Sequence, residues 1–140
     1  MEPEFERHRP ENLPEQAAEW LRMAAKRTEI GYIDADEYIK ASGMTNDVQL
    51  YTIECDGELC AAFCLTFRET AKGIVMQLVL LGGKDVKKWR DALVEFMEAT
   101  AAKFSCVWFT MMGPDAWGKL FPEIKKHVCI FGKIPKYIGE

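Results

Sequence analysis

Between residues 48 and 81 three runs of strand-forming residues are separated by two tight turn signals, and a helix-period run follows at once. VQLYTIEC (48–55) meets LCAAFCLTFRE (59–69) across Asp56-Gly57, a pair that favours a tight hairpin. Residues 70–73 turn the chain again into IVMQLVLL (74–81). Two successive hairpins predict a three-stranded antiparallel meander. Gly82 and Gly83 end the third strand, and Asp85 is expected to cap a helix over residues 86–103. There Trp89, Leu93, Phe96, Met97 and Thr100 recur at three- and four-residue spacing, with Lys87, Lys88, Arg90, Asp91 and Glu98 expected in solvent.

The flanks supply further elements. Residues 1–11 are polar and read as a flexible N-terminal arm, and residues 12–140 as one domain. Asn12 is the expected cap of a helix reaching Lys26, with Ala17, Trp20, Leu21 and Ala24 near one face. A short helix over 34–41 is expected to start at Asp34, with Glu37 as its capping-box partner and Tyr38 packed inward. Residues 105–111 form a fourth strand candidate. Gly113-Pro114 marks the start of a short helix at about 115–121, and residues 127–134 give a last strand. Helices and a mostly antiparallel sheet in this order define an α+β domain, and 49% apolar residues in 140 are enough for one core.

Charge and cysteines exclude several classes. With 18 basic and 22 acidic residues the formal charge is −4, which disfavours general nucleic-acid binding. Lys119, Lys125, Lys126, Lys133 and Lys136 make the last third locally basic, so nucleic-acid contact is open but not favoured. Cys55, Cys60, Cys64, Cys106 and Cys129 are odd in number and sit in strand-like settings, as reduced core thiols do. There is no CxxC pair, and His8 and His127 lie far apart, so no metal site is expected. No signal peptide or membrane-length apolar run is visible, and synthesis in the cytoplasm is the expectation.

The order helix, short helix, three antiparallel strands, long helix, strand, short helix, strand over residues 12–134 resembles the Gcn5-related N-acetyltransferases (GNAT). The resemblance implies an acyl-CoA N-acyltransferase-like fold, a mixed, mostly antiparallel sheet flanked by helices. It also implies that the turn into the long helix, here Leu81, Gly82, Gly83, Lys84 and Lys87, would hold the pyrophosphate of acetyl-CoA. Family members carry Q/R-x-x-G-x-G/A there. This chain has adjacent glycines and then Lys84, without the leading Gln or Arg. Such a loop works by offering backbone amides to phosphate, and Lys84 or Lys87 would add charge. The stretches GGKDVKKWRDALVEFMEA and FSCVWFTMMGPDAWGKLFPEI also resemble degenerate acetyltransferase-like proteins of tailed phages, among them the small internal virion proteins of short-tailed coliphages. That likeness implies virion assembly or genome delivery, with other virion components or further copies of the chain as partners.

Acetyl transfer needs a base for the amine, a dipole for the thioester carbonyl and an acid for the leaving thiolate. The resemblance places a Tyr in the short helix after the fourth strand as that acid, but DAWGKLF has Trp117 and Phe121 instead. Glu54, Glu58 and Glu69 read as surface carboxylates, and His127 two residues before Cys129 is too loosely spaced for a dyad. The expectation is therefore a noncatalytic protein with no catalytic residues and no cofactor, packaged in a phage particle and acting through contacts at Trp108, Met112, Trp117 and Phe121. Trp, Met and Phe favour interface cores. The alternative is an N-acetyltransferase that uses acetyl-CoA through a divergent pyrophosphate loop.

Overall fold

The sheet starts earlier in the chain than the meander. In the computed structural model, which describes residues 2–27, 34–112, 121, 125–127 and 130–133, Glu4–His8 is a strand, β1. It pairs antiparallel with β2 (Val48–Cys55), Phe5 opposite Ile53. The flexible arm expected at 1–11 is therefore corrected. Phe5 stacks on Phe96 with ring centroids 4.5 Å apart and meets Phe63 edge-on, so one aromatic side chain ties this charged strand to the core. Asn12 does not cap the next helix. It closes a 3-10 turn at Pro10–Asn12, its amide donating to the Arg9 carbonyl at 3.0 Å.

Helix α1 (Glu15–Arg27) buries Ala17, Ala18, Leu21, Ala24 and Ala25. Small residues on that face let its backbone lie close to the sheet. A Cβ on Gly82 would stand 2.6 Å from the Trp20 carbonyl oxygen. Helix α2 (Ala35–Ser42) starts at Asp34, whose carboxylate accepts from the Asp36 amide at 2.9 Å. The cap is thus as expected, with Asp36 rather than Glu37 as the partner.

The meander forms as predicted from β2, β3 (Glu58–Thr70) and β4 (Gly73–Gly83). Each hairpin carries a register shift, at Ile53/Glu54 and at Cys64/Leu65; the second leaves Val79 of β4 without a partner on β3. Such bulges bend a strand and re-aim its side chains. Helix α3 (Val86–Lys103) then returns to the parallel strand β5 (Trp108–Met112). The predicted strand 105–111 begins later because Ser105 turns at φ 55° and the Cys106 amide caps α3 through the Ala101 carbonyl. The last predicted strand, 127–134, overlaps β7 (Ile130–Lys133), and a short strand β6 (Lys125–His127) pairs antiparallel with β7. Sheet order is β1-β2-β3-β4-β5-β7-β6.

Two apolar clusters cover the two faces. On one, α3 packs Trp89, Leu93 and Met97 against Ile53, Phe63, Leu65, Leu78 and Phe109. On the other, α1 and Ala35 of α2 pack against Leu50, Ala62, Cys64 and Leu80. Each fully buried Leu or Phe contributes about 1.5–3 kcal/mol. Glu98, expected in solvent, is instead buried. The short helix expected at 115–121 falls, apart from Phe121, outside the described residues.

Candidate functional site

The β4–α3 turn is held from both sides. The Lys84 amide donates to the Cys60 carbonyl at 2.8 Å, and the Trp89 indole donates to the Lys84 carbonyl at 2.8 Å. Gly83 sits directly on β3, where a Cβ would stand 2.3 Å from the Cys60 carbonyl oxygen and 2.6 Å from the Ala61 Cα. Glycine is thus required at 83 for close strand packing. Asp85 adopts the left-handed conformation at φ 56° and its side chain makes no cap hydrogen bond, so the expected carboxylate cap is absent. Its carboxylate lies 4.0 Å from the Lys88 ammonium. Of the first amides of α3, that of Lys88 donates to the Asp85 carbonyl at 2.9 Å, and those of Val86 and Lys87 have neither an intrahelical acceptor nor this side chain as partner.

The predicted cofactor residues divide in three. Leu81 is buried in the α3-side core, so only its backbone can face a ligand. Gly82 and Gly83 are committed to α1 and β3. Lys84 and Lys87 are exposed on the turn and on the first turn of α3. The Lys84 ammonium donates to the Glu58 carboxylate, which lowers the Glu58 pKa and raises that of Lys84 through the hydrogen bond and charge attraction. Both groups are fully exposed, so this pair is screened and exchangeable.

Beside the turn the sheet opens. The β4–β5 ladder runs from Val75↔Trp108 to Leu78↔Met111. Residues 79–83 of β4 continue without a partner on that side among the described residues. The result is a fork whose open edge, starting at the Val79 bulge, leads into the N-terminus of α3. Backbone groups on such an edge are available to a ligand.

Below the fork, on the α1–α2 face, Tyr38, Asp47, Val48, Thr66, Phe67, Arg68, Val75, Gln77, Trp108 and Thr110 line a groove of ≈560 Å³. None of Thr66, Arg68, Gln77 or Thr110 stands out in the sequence as a site. The detectable signal was a polar Thr66/Gln77/Thr110 set in otherwise apolar strands, and it becomes visible only once register aligns them.

Of the expected contact surface, only Trp108 and Phe121 have described side chains. Phe121 is buried with the Arg90 guanidinium 5.5 Å from its ring centre, so it offers no surface to a partner. Trp108 lines the groove, Met112 is placed only as a strand position, and Trp117 lies outside the described residues. The four described cysteines are buried free thiols. Burial raises Cys64 to about 12, and burial with the Cys60 thiol raises Cys55 to about 11. Neither is a nucleophile near neutral pH. Cys129 lies outside the described residues, as does the side chain of His127. Among the described residues there is no metal-binding cluster and no helix long and apolar enough to cross a membrane.

A meander, a bulged fourth strand, a helix crossing to a parallel fifth strand and a fork between those two strands make up the GNAT architecture. A probable acetyltransferase from Staphylococcus epidermidis shares the fold at TM-score 0.63 and 12% identity over 85% of this chain and 79% of that one. A Bacillus subtilis acetyltransferase in complex with CoA matches at TM-score 0.61 and 16% identity, covering 86% of this chain and 74% of that one. A predicted acetyltransferase with acetyl-CoA from Clostridium acetobutylicum matches at 0.61 and 9%, covering 86% of each. No family model matches the chain, and no curated protein sequence matches it. These likenesses overturn the noncatalytic virion reading: they run consistently to bacterial acetyltransferases and supply no evidence of a phage relative.

Proposed function

We propose that the chain is an N-acetyltransferase that takes its acyl group from acetyl-CoA. The observation that carries this reading is the fork: β4 leaves β5 after Leu78↔Met111, and its unpartnered edge ends at the N-terminus of α3. The diphosphate is held by the first amides of α3 and by Lys87, with Lys84 recruited when it leaves Glu58. The pantetheine amides pair with the open edge at residues 79–81, and a backbone amide of that edge polarises the thioester carbonyl. A neutral amine attacks the acyl carbon, the C–N bond forms as C–S breaks, and the amine proton ends on the CoA sulfur.

Calorimetric titration with acetyl-CoA tests this. One-to-one binding is expected, weakened several-fold by Lys87→Ala, which touches no described partner. Substituting Gly83 is a poor test, since any Cβ collides with β3 and damages the fold. Absence of binding by a folded chain would sink the reading.

A further inference from the structure

On the α1–α2 face of the sheet, register aligns Val48 with Thr66, Thr66 with Gln77 and Gln77 with Thr110. The next row sets Arg68 beside Val75 and Val75 beside Trp108. Towards α1 the same face is apolar, with Leu50, Ala62, Cys64 and Leu80. The polar row therefore begins where the core ends, and its Gln77–Thr110 pair lies one step before the last pair of the fork.

Thr110 is only 7% exposed, yet its hydroxyl has no hydrogen-bond partner among the described residues. A buried hydroxyl left unpaired is costly, and such groups call for an explanation such as an absent ligand. Rotation about χ1 moves the hydroxyl to another staggered position, and Thr110 lines the groove. Around it Tyr38, Val48, Val75 and Trp108 give apolar walls, and Arg68 and Asp47 stand exposed at the rim. Neither rim residue has an ion pair among the described residues.

We propose that this groove binds the acyl acceptor, and that the acceptor is a primary amine with an apolar body and a single carboxylate, an apolar amino acid or a close analogue. The inference rests on the acetyltransferase reading above. The amine is hydrogen-bonded by Gln77 and Thr110 next to the fork. The body lies against Trp108 and Tyr38, and the carboxylate pairs with the Arg68 guanidinium. Asp47 on the same rim repels a second anionic group, which selects monocarboxylates. The neutral amine nitrogen forms the bond to the acyl carbon, the C–S bond breaks, and the products are an N-acetyl amino acid and the CoA thiol, which receives the amine proton.

The test compares phenylalanine, tyrosine, leucine and methionine with their decarboxylated amines and with aspartate and glutamate, using the full chain. Thiol release from acetyl-CoA gives kcat and KM, and calorimetry measures amino-acid binding without acetyl-CoA. At least one apolar amino acid is expected to bind and to outperform its decarboxylated amine. Arg68→Ala should raise its KM roughly ten- to hundredfold, with a much smaller effect on the matched amine. Thr110→Val and Gln77→Leu, apolar replacements of similar size, should cut kcat/KM for both acceptors while acetyl-CoA affinity stays the same. Amino-acid binding that depends on Arg68 without any acetyl-CoA binding would remove the enzyme reading and keep the groove. Acetyl-CoA binding with equal use of acids and decarboxylated amines, or no effect of Arg68→Ala, would overturn the acceptor assignment. So would failure of every amino acid to bind.

Discussion

At the scale of single residues, the cysteines show how burial sets chemistry. Cys64 lies in the α1-side cluster, fully enclosed, and burial lifts its thiol from 9.0 to about 12. The raised value stabilises the folded chain below the unfolded pKa, and that stabilisation is lost as pH climbs through the folded one. Between pH 9 and about 12 the Cys64 contribution falls by about 1.4 kcal/mol per pH unit. Denaturant midpoints measured from pH 8 to 10.5 should therefore decline. In Cys64→Ala, whose starting midpoint is lower because a buried sulfur is missing, the decline should be shallower. An equal slope in the two proteins would show that this thiol does not titrate with unfolding. The glycines teach a related lesson. Gly82 and Gly83 look in the sequence like a phosphate loop, and the structure gives each a packing reason against Trp20 and against β3. The groups left free to meet a ligand there are backbone amides and exposed lysines.

Elements were legible in the sequence wherever side-chain period and turn chemistry agreed. The Asp56-Gly57 hairpin and the α3 apolar stripe placed β2, β3, β4 and α3 to within two residues. β1 was missed because four of its five residues, Glu4, Glu6, Arg7 and His8, are ionisable, although Phe5 packs on Phe96 and the largely buried His8 ring meets the Thr52 hydroxyl at 2.7 Å. Phe5 is the apolar anchor of the element. Phe5→Ala removes the stack on Phe96 and the edge contact with Phe63. Because Phe5 is half-buried, the cost should be about 1–3 kcal/mol, below that of a fully buried Phe. Chemical denaturation checks the loss of stability, and hydrogen exchange should show faster opening of amides in Glu4–His8 than in β3. Uniform loss of protection across the sheet would instead make β1 part of the global folding unit.

For the whole molecule, the α+β class and the GNAT order could be read from the sequence, because local patterns stack in one direction along the chain. The fork and the groove could not. Both arise from register between strands distant in sequence, such as Gln77 beside Thr110 and the unpartnered edge beyond Leu78. The same long-range origin links ligand binding to global stability. Unfolding dissolves the fork, so a ligand bound there stabilises the fold by RT ln(1 + [L]/Kd), about 2.7 kcal/mol at a hundred times Kd. Acetyl-CoA should raise the thermal midpoint in proportion to the logarithm of its concentration. Added salt should reduce that shift if, as proposed, the diphosphate meets the exposed Lys87 and Lys84 after it leaves Glu58. Glu58→Gln should enlarge the shift at low salt, because it releases Lys84 without altering the backbone of the turn. Desulfo-CoA, with the diphosphate but no thiol, should reproduce most of the shift if the turn holds the anion. If adenosine alone matches it, the α3 N-terminus is not the anchor and the cosubstrate enters the fork another way.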